Sequence, residues 1–182
     1  MTQVPREVIW LVSIVMIGAA VIDGWKLKVP NWLTFPFVVA GLAFWAWHGG
    51  GAGLLRSFEG AAVGLALLLP LYAIGGMGAG DVKLMAGVGA WVGPYLTFYS
   101  LPAIAMAGGI IALGMVVYTG EYIHFWVRCQ TIISEIITVR NPVKLAELAA
   151  ARKSTSRIPP LPYGIPITVG TIAFFVQQGL MF

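Results

Sequence analysis

Cysteine, histidine and charge are what this chain has least of. One cysteine, Cys129, stands among 182 residues, which excludes an internal disulfide framework and any multi-cysteine zinc site. Beside Arg128 in an apolar stretch it reads as a small hydrophobe. Charged residues make up 10% of the sequence, against roughly 25% in soluble domains. What is present instead is apolar: 59% of the residues are hydrophobic and the mean hydropathy is +0.87. The apolar residues gather into runs separated by short polar stretches, so the expected fold is all-α, a single polytopic membrane domain over residues 1–182. A formal charge of +4 invites a nucleic-acid partner, but membrane topology accounts for the basic residues and no such partner is needed.

Six runs are candidates for transmembrane helices: residues 4–22, 33–47, 60–74, 82–95, 101–118 and 163–180. The second and fourth are short of the roughly 20 residues a span needs, and are expected to tilt little or to extend into their flanks. The first run follows Arg6 and ends on Gly18, Ala19 and Ala20, a pattern with a superficial likeness to a secretory signal; cleavage there would discard the first span, and a retained helix is the reading adopted. With the N-terminus outside, Lys26, Lys28, Lys83, Arg128, Arg140, Lys144, Arg152, Lys153 and Arg157 fall on the inner side and only Arg6 and Arg56 on the outer. That bias predicts both termini outside the cytoplasm. Most of the tryptophans lie near predicted span ends, as an interfacial aromatic belt would place them.

The one long polar connection, residues 119–162, is predicted to be cytoplasmic. Tyr122, Phe125, Trp126, Cys129, Ile132, Ile133 and Ile136 share one helical stripe there, which predicts a helix lying on the inner leaflet and ending at Asn141-Pro142. Residues 143–153 are rich in strong helix formers and predict a second short helix.

Of seven carboxylates, Glu7, Glu59, Glu121, Glu135 and Glu147 fall at span ends or in the polar connection. Asp23 and Asp81 are different. Asp23 is expected to close the first span, directly after an uninterrupted apolar run, and Asp81 to open the fourth behind Gly75-Gly76-Met77-Gly78-Ala79-Gly80. Because odd and even spans run in opposite directions, the end of the first and the start of the fourth share a membrane face, the cytoplasmic one. A carboxylate at bilayer depth costs roughly 2.5–3.5 kcal/mol at a helix centre and less near the interface, so a facing pair asks for a function. Two carboxyl groups sharing a site do not both ionise easily; one stays a base while the other keeps a proton. Such a pair can activate water and polarise a scissile carbonyl without metal, cofactor or nucleophilic side chain. The two histidines, His48 and His124, are predicted on opposite faces and cannot cooperate.

Three stretches carry a resemblance. Gly78-Ala79-Gly80-Asp81-Val82-Lys83-Leu84 resembles the GxGD signature of type IV prepilin peptidases and related GxGD aspartyl proteases. Asp23-Gly24-Trp25-Lys26-Leu27-Lys28-Val29-Pro30-Asn31 is similar to that family's first-aspartate motif, and Pro162-Tyr163-Gly164-Ile165-Pro166 to the PYGxP entry into its last span. The resemblance implies an aspartic endopeptidase with Asp23 and Asp81 as catalytic dyad. It also implies Gly78, Gly80, Lys26, Lys28, Lys83, Pro30, Asn31, Pro162, Tyr163, Gly164 and Pro166 as residues that bind substrate or shape the site. The implied substrate is a prepilin or pseudopilin with a short basic leader, a glycine before the cut and an apolar helix after it, processed at the inner face of the bacterial cytoplasmic membrane beside the pilus assembly machinery. Larger members carry an N-terminal region with two CxxC pairs and also methylate the trimmed pilin. This sequence shows neither pair, which likens it to the short peptidases of tight-adherence (Tad/Flp) pilus systems.

Two other readings fit intramembrane carboxylates: an ion- or proton-coupled transporter, and an inactive pilus assembly factor that keeps the fold. The two halves show no inverted repeat, and both aspartates are predicted near one face rather than the midplane.

Overall fold

The computed structural model describes residues 4–26, 28–73, 77–119 and 163–181, and all regular structure among them is helical. The helices are α1 (Arg6–Lys26), α2 (Asn31–Ala73), α3 (Ala79–Val92), α4 (Pro94–Thr119) and α5 (Gly164–Gln177). The first, second and fourth contain stretches long and apolar enough to cross a membrane, and α5 is a shorter apolar helix. Prolines open three of them. The carbonyls of Pro5 and Pro30 accept the first amide bonds of α1 and α2, and Pro94 is the first residue of α4; a proline there loses no helical bond, because the first amides have no partner in any case.

With 43 residues, α2 would be about 65 Å long if straight, twice a ~30 Å hydrocarbon core. It is not straight. Gly50, at φ 57° and ψ −144°, breaks the helical path, and a Cβ on Gly53 would run into the carbonyl of Trp45, a residue about 12 Å away along a straight helix. Both arms of the resulting hairpin, residues 31–49 and 51–73, close on α3. A Cβ on Gly41 would meet Ala90 and Trp91 at 3.1 Å, while one on Gly60 would meet the Gly89 carbonyl. The arm 31–49 therefore runs parallel to α3 and the arm 51–73 antiparallel to it. Small residues make these approaches possible, as in membrane helix packing generally.

Wrapped in this way, α3 is buried along almost its whole length, from Leu84 to Val92. A helix apolar on all sides is expected to sit inside. It stops where Gly93 takes up φ 85°, a conformation that favours glycine. The expected fourth run reached residue 95; Gly93 is the whole connection, and Tyr95 already belongs to α4.

The rest of the bundle follows from pairwise contacts. Thr168 Oγ1 donates to the Met16 carbonyl at 3.0 Å and Gly164 meets Asp23, so α5 runs antiparallel to α1. A Cβ on Gly170 would strike the backbone at Ile104, and one on Gly108 would touch Pro166 at 3.6 Å, so α4 is antiparallel to α5. Counting the two arms of α2 separately, successive helical segments alternate in direction, and each of the six expected runs is helical over most of its described residues.

Two expectations need correction. Asp23 does not close its helix: α1 continues to Lys26, whose charge complements the negative helix end. Trp25, Trp32 and Trp47 are exposed near helix ends as a belt requires, but Trp45 and Trp91 are buried. Their indole N–H groups donate to the carbonyls of Trp91 and Phe37, at 2.8 and 2.9 Å, so they are core pins between α2 and α3. The helices expected over residues 122–137 and 143–153, with Cys129 and His124, lie outside the described residues.

Candidate active site

Along α1 the buried residues are Val8, Ile9, Val12, Ser13, Met16, Ala19 and Asp23. Their three- and four-residue spacing makes Asp23 the last member of the stripe that faces the bundle, and only 3% of it is exposed. Asp81 sits in the first turn of α3 and is 5% exposed. The two carboxyl groups lie within coulombic reach of each other, brought together from helices of opposite direction.

Each aspartate has one oxygen held by a glycine N–H, and the two donors have different origins. Gly78 N–H donates to Asp81 Oδ2 at 3.2 Å, while the Asp81 N–H donates back to the Gly78 carbonyl at 3.2 Å. This local cap closes the start of α3 and places the acid at the favourable end of its own helix. Gly164 N–H, at the start of α5, donates to Asp23 Oδ2 at 2.8 Å across 141 positions of sequence. The other oxygen of Asp81, Oδ1, is buried without a hydrogen-bond partner among the described residues. A buried, unsatisfied carboxyl oxygen is costly enough that it asks for a role.

The remaining expected residues divide. Gly80 is at the crossing of two motifs: a Cβ there would stand 2.6 Å from the Val29 carbonyl oxygen and 3.1 Å from Val29 Cβ, so a side chain would push the 28–30 connection off α3. Lys83 Nζ donates to Asn31 Oδ1 at 3.0 Å and lies 4.8 Å from the centre of the Phe35 ring. Lys83 and Asn31 thus join the two aspartate motifs physically. Pro30 opens α2 beside them. Pro166 is buried against α4 and Tyr163 is half-buried at the start of α5. Lys26 and Lys28 are exposed. Pro162 lies outside the described residues. Sequence reasoning missed Val29 and Thr168. The first acts through its backbone and leaves no side-chain signal; the second could have been found as a polar residue within an otherwise apolar run. Among the described residues no three His, Cys, Asp or Glu side chains cluster so as to hold a metal ion.

Over residues 10–113 the chain matches the Type IV leader peptidase family. The chain belongs to that family. The matched region contains both aspartates and the Gly78 turn, and identifies the chain as a protease of leader-peptidase type. It stops short of the Tyr163 to Pro166 stretch, whose tie to the site is the Gly164 bond to Asp23. The chain matches no curated protein and no solved structure.

Proposed function

We propose that this chain is a prepilin leader peptidase in which Asp23 and Asp81 form an aspartic dyad at the cytoplasmic face of a bacterial inner membrane. The observation that carries the reading is two buried carboxyl groups, one in the last turn of α1 and one in the first turn of α3, each with one oxygen fixed by a glycine N–H. One carboxylate takes a proton from water as the water attacks the scissile carbonyl, and the other, protonated, donates to the carbonyl oxygen; as the tetrahedral intermediate collapses, the first passes its proton to the leaving amine and the second takes one back from the hydroxyl, which restores the dyad. Both acids lie near helix ends, which suits a cut at the membrane interface better than ion passage through the midplane. A prepilin or pseudopilin that keeps its apolar helix in the bilayer would present its leader junction at that depth.

Six membrane crossings, counting the arms of α2 separately, accord with the alternating helix directions. The lysine and arginine bias then sets both termini outside and the dyad inside. On this reading the whole chain is one peptidase domain acting next to the pilus assembly machinery. The deciding experiment is cleavage of a synthetic prepilin by the purified full chain in nanodiscs. Leader release by the wild type, absent in Asp23→Asn and Asp81→Asn variants that insert and stay folded, is expected. Undiminished release by either variant would remove that aspartate from the mechanism.

A further inference from the structure

Asp81 is fixed by its own helix turn, but Asp23 has no such local partner. It sits in the last turn of α1, where the helix end is negative and repels a carboxylate. Its fixed oxygen is held by the first residue of α5. That helix lacks an ordinary cap: Tyr163 precedes it and makes no side-chain capping bond, so the Gly164 N–H is one of the amides a helix start leaves without an internal partner. The two deficits meet at 2.8 Å. Asp23 caps α5 from another helix, and α5 gives Asp23 the positive helix end that its own helix denies it.

Glycine is required at this position for space, not for conformation. Position 164 is the first residue of a regular helix, where alanine is ordinarily the better helix former. A Cβ there would stand 2.9 Å from Asp23 Oδ2, 3.0 Å from its Cβ and 3.1 Å from its Cγ. The carboxyl is the free end of a side chain and can turn away, while the contact with Asp23 Cβ asks for a shift of a few tenths of an ångström between the two helix ends. We infer that Gly164 is a positioning residue for Asp23: its N–H fixes one carboxyl oxygen and its missing side chain leaves the room the carboxyl fills, so that the docked start of α5 sets the orientation in which Asp23 meets Asp81. This rests on the dyad reading above.

The test uses the full-length protein in nanodiscs with a synthetic prepilin. Gly164→Ala is expected to lower kcat at least 100-fold with KM within threefold of wild type, because substrate still binds while Asp23 points elsewhere. Gly108→Ala serves as comparator, since its added Cβ meets Pro166 at an ordinary 3.6 Å; it should keep kcat within threefold. If Gly164→Ala loses thermal stability, the same substitution is made on Asp23→Ala. A crowding effect on the carboxyl predicts that the Tm cost is smaller there, where only the contact with the Cβ at position 23 remains. A kcat within threefold of wild type for Gly164→Ala, or an equal Tm cost with and without the Asp23 carboxyl, would overturn the inference. Cleavage that survives Asp23→Asn would instead sink the dyad itself, so the two failures are distinguishable.

Discussion

The two ends of α3 bury polar groups in opposite ways. At its C-terminal end, Trp45 Nε1 donates to the Trp91 carbonyl, Ser57 Oγ to that of Ala90 at 2.6 Å, and Arg56 to that of Val92 at 3.1 Å. Trp91 donates onward to Phe37, and the Arg56 guanidinium stacks 4.6 Å over the Trp45 ring. The carbonyls a helix end leaves open are nearly all taken there; a single guanidinium nitrogen, Nη1, goes without a partner. At the N-terminal end the pattern is reversed. The Gly78 and Asp81 amides are bonded, but an acidic oxygen, Asp81 Oδ1, is left buried and, among the described residues, unpartnered. A structural polar group is there to be satisfied; a reactive one is held where something else must satisfy it. In this fold the saturated end anchors the helix, and the anchoring holds the unsaturated end in place without consuming its chemistry.

Exchanging a group at each end should break the comparison most visibly in activity. Asp81→Asn is expected to lower cleavage by about 10³-fold or more, since a positioned acid or base alone contributes roughly 10²–10⁴, while the Tm stays near the wild-type value. Asp23→Asn should do the same, and Glu59→Gln, far from the pair, should change turnover little. Leader release read by gel shift alongside thermal unfolding checks both quantities in the same samples.

A dyad that shares one proton also makes a demand on pH that a lone carboxylate does not. Cleavage should fall on both sides of an optimum, by about tenfold per pH unit on each limb. The acid limb records protonation of the base; the alkaline limb records loss of the proton from the acid. The two apparent constants belong to the pair and not to either residue. Single-turnover rates across pH, with folding checked at each point, decide it: a rate that climbs steadily into the alkaline range excludes a required protonated aspartate.

The saturated end should answer in stability instead. Trp91→Ala removes a buried ring and the hydrogen bond it donates to Phe37, and about 3 kcal/mol of destabilisation is expected from the lost packing. Gly60→Leu should be at least as damaging, because a side chain there has no room against the Gly89 carbonyl. Both should lower Tm, and any molecules that remain folded should cleave at near the wild-type rate. A Trp91→Ala protein that is fully stable but inactive would show that the two ends are not separable in this way.

How much of this could be read from the sequence depends on whether an interaction is local. Asp81 and its glycines are contiguous, so the turn and its cap were legible as a motif. Gly60 and Gly64 have the four-residue spacing of a small-residue packing pair, and they receive α3, at Gly89 and Met85. The meeting of Asp23 with Asp81 could be expected only through the alternation of helix direction, which gives a shared face but no contact. The Gly164 bond to Asp23 was not legible at all, because nothing in either stretch marks an amide and a carboxyl 141 positions apart as partners. The fold-back at Gly50 explains why two short runs sit in one unbroken helical stretch: the glycines between them supply a turn without any polar loop.

The smallest expected effect concerns the lysine between the two motifs. Lys83 reads in sequence as a topology signal, one more positive charge on the inner side, yet its ammonium is bonded to Asn31 and lies over Phe35. If topology were its whole role, Lys83→Arg would be silent and Asn31→Ala would not interact with it. If the bond helps to hold the 28–31 connection against Gly80, Lys83→Met should cost about 1 kcal/mol in transition-state terms, roughly fivefold in kcat/KM, since a charge-assisted bond at an exposed site is worth little more. Methionine keeps most of the stem over Phe35 and removes only the donor. Asn31→Ala should cost a similar amount, and the double variant no more than either alone, because both delete one bond. Additive losses in that cycle would mean that the two residues act separately and that the bond does not couple the motifs.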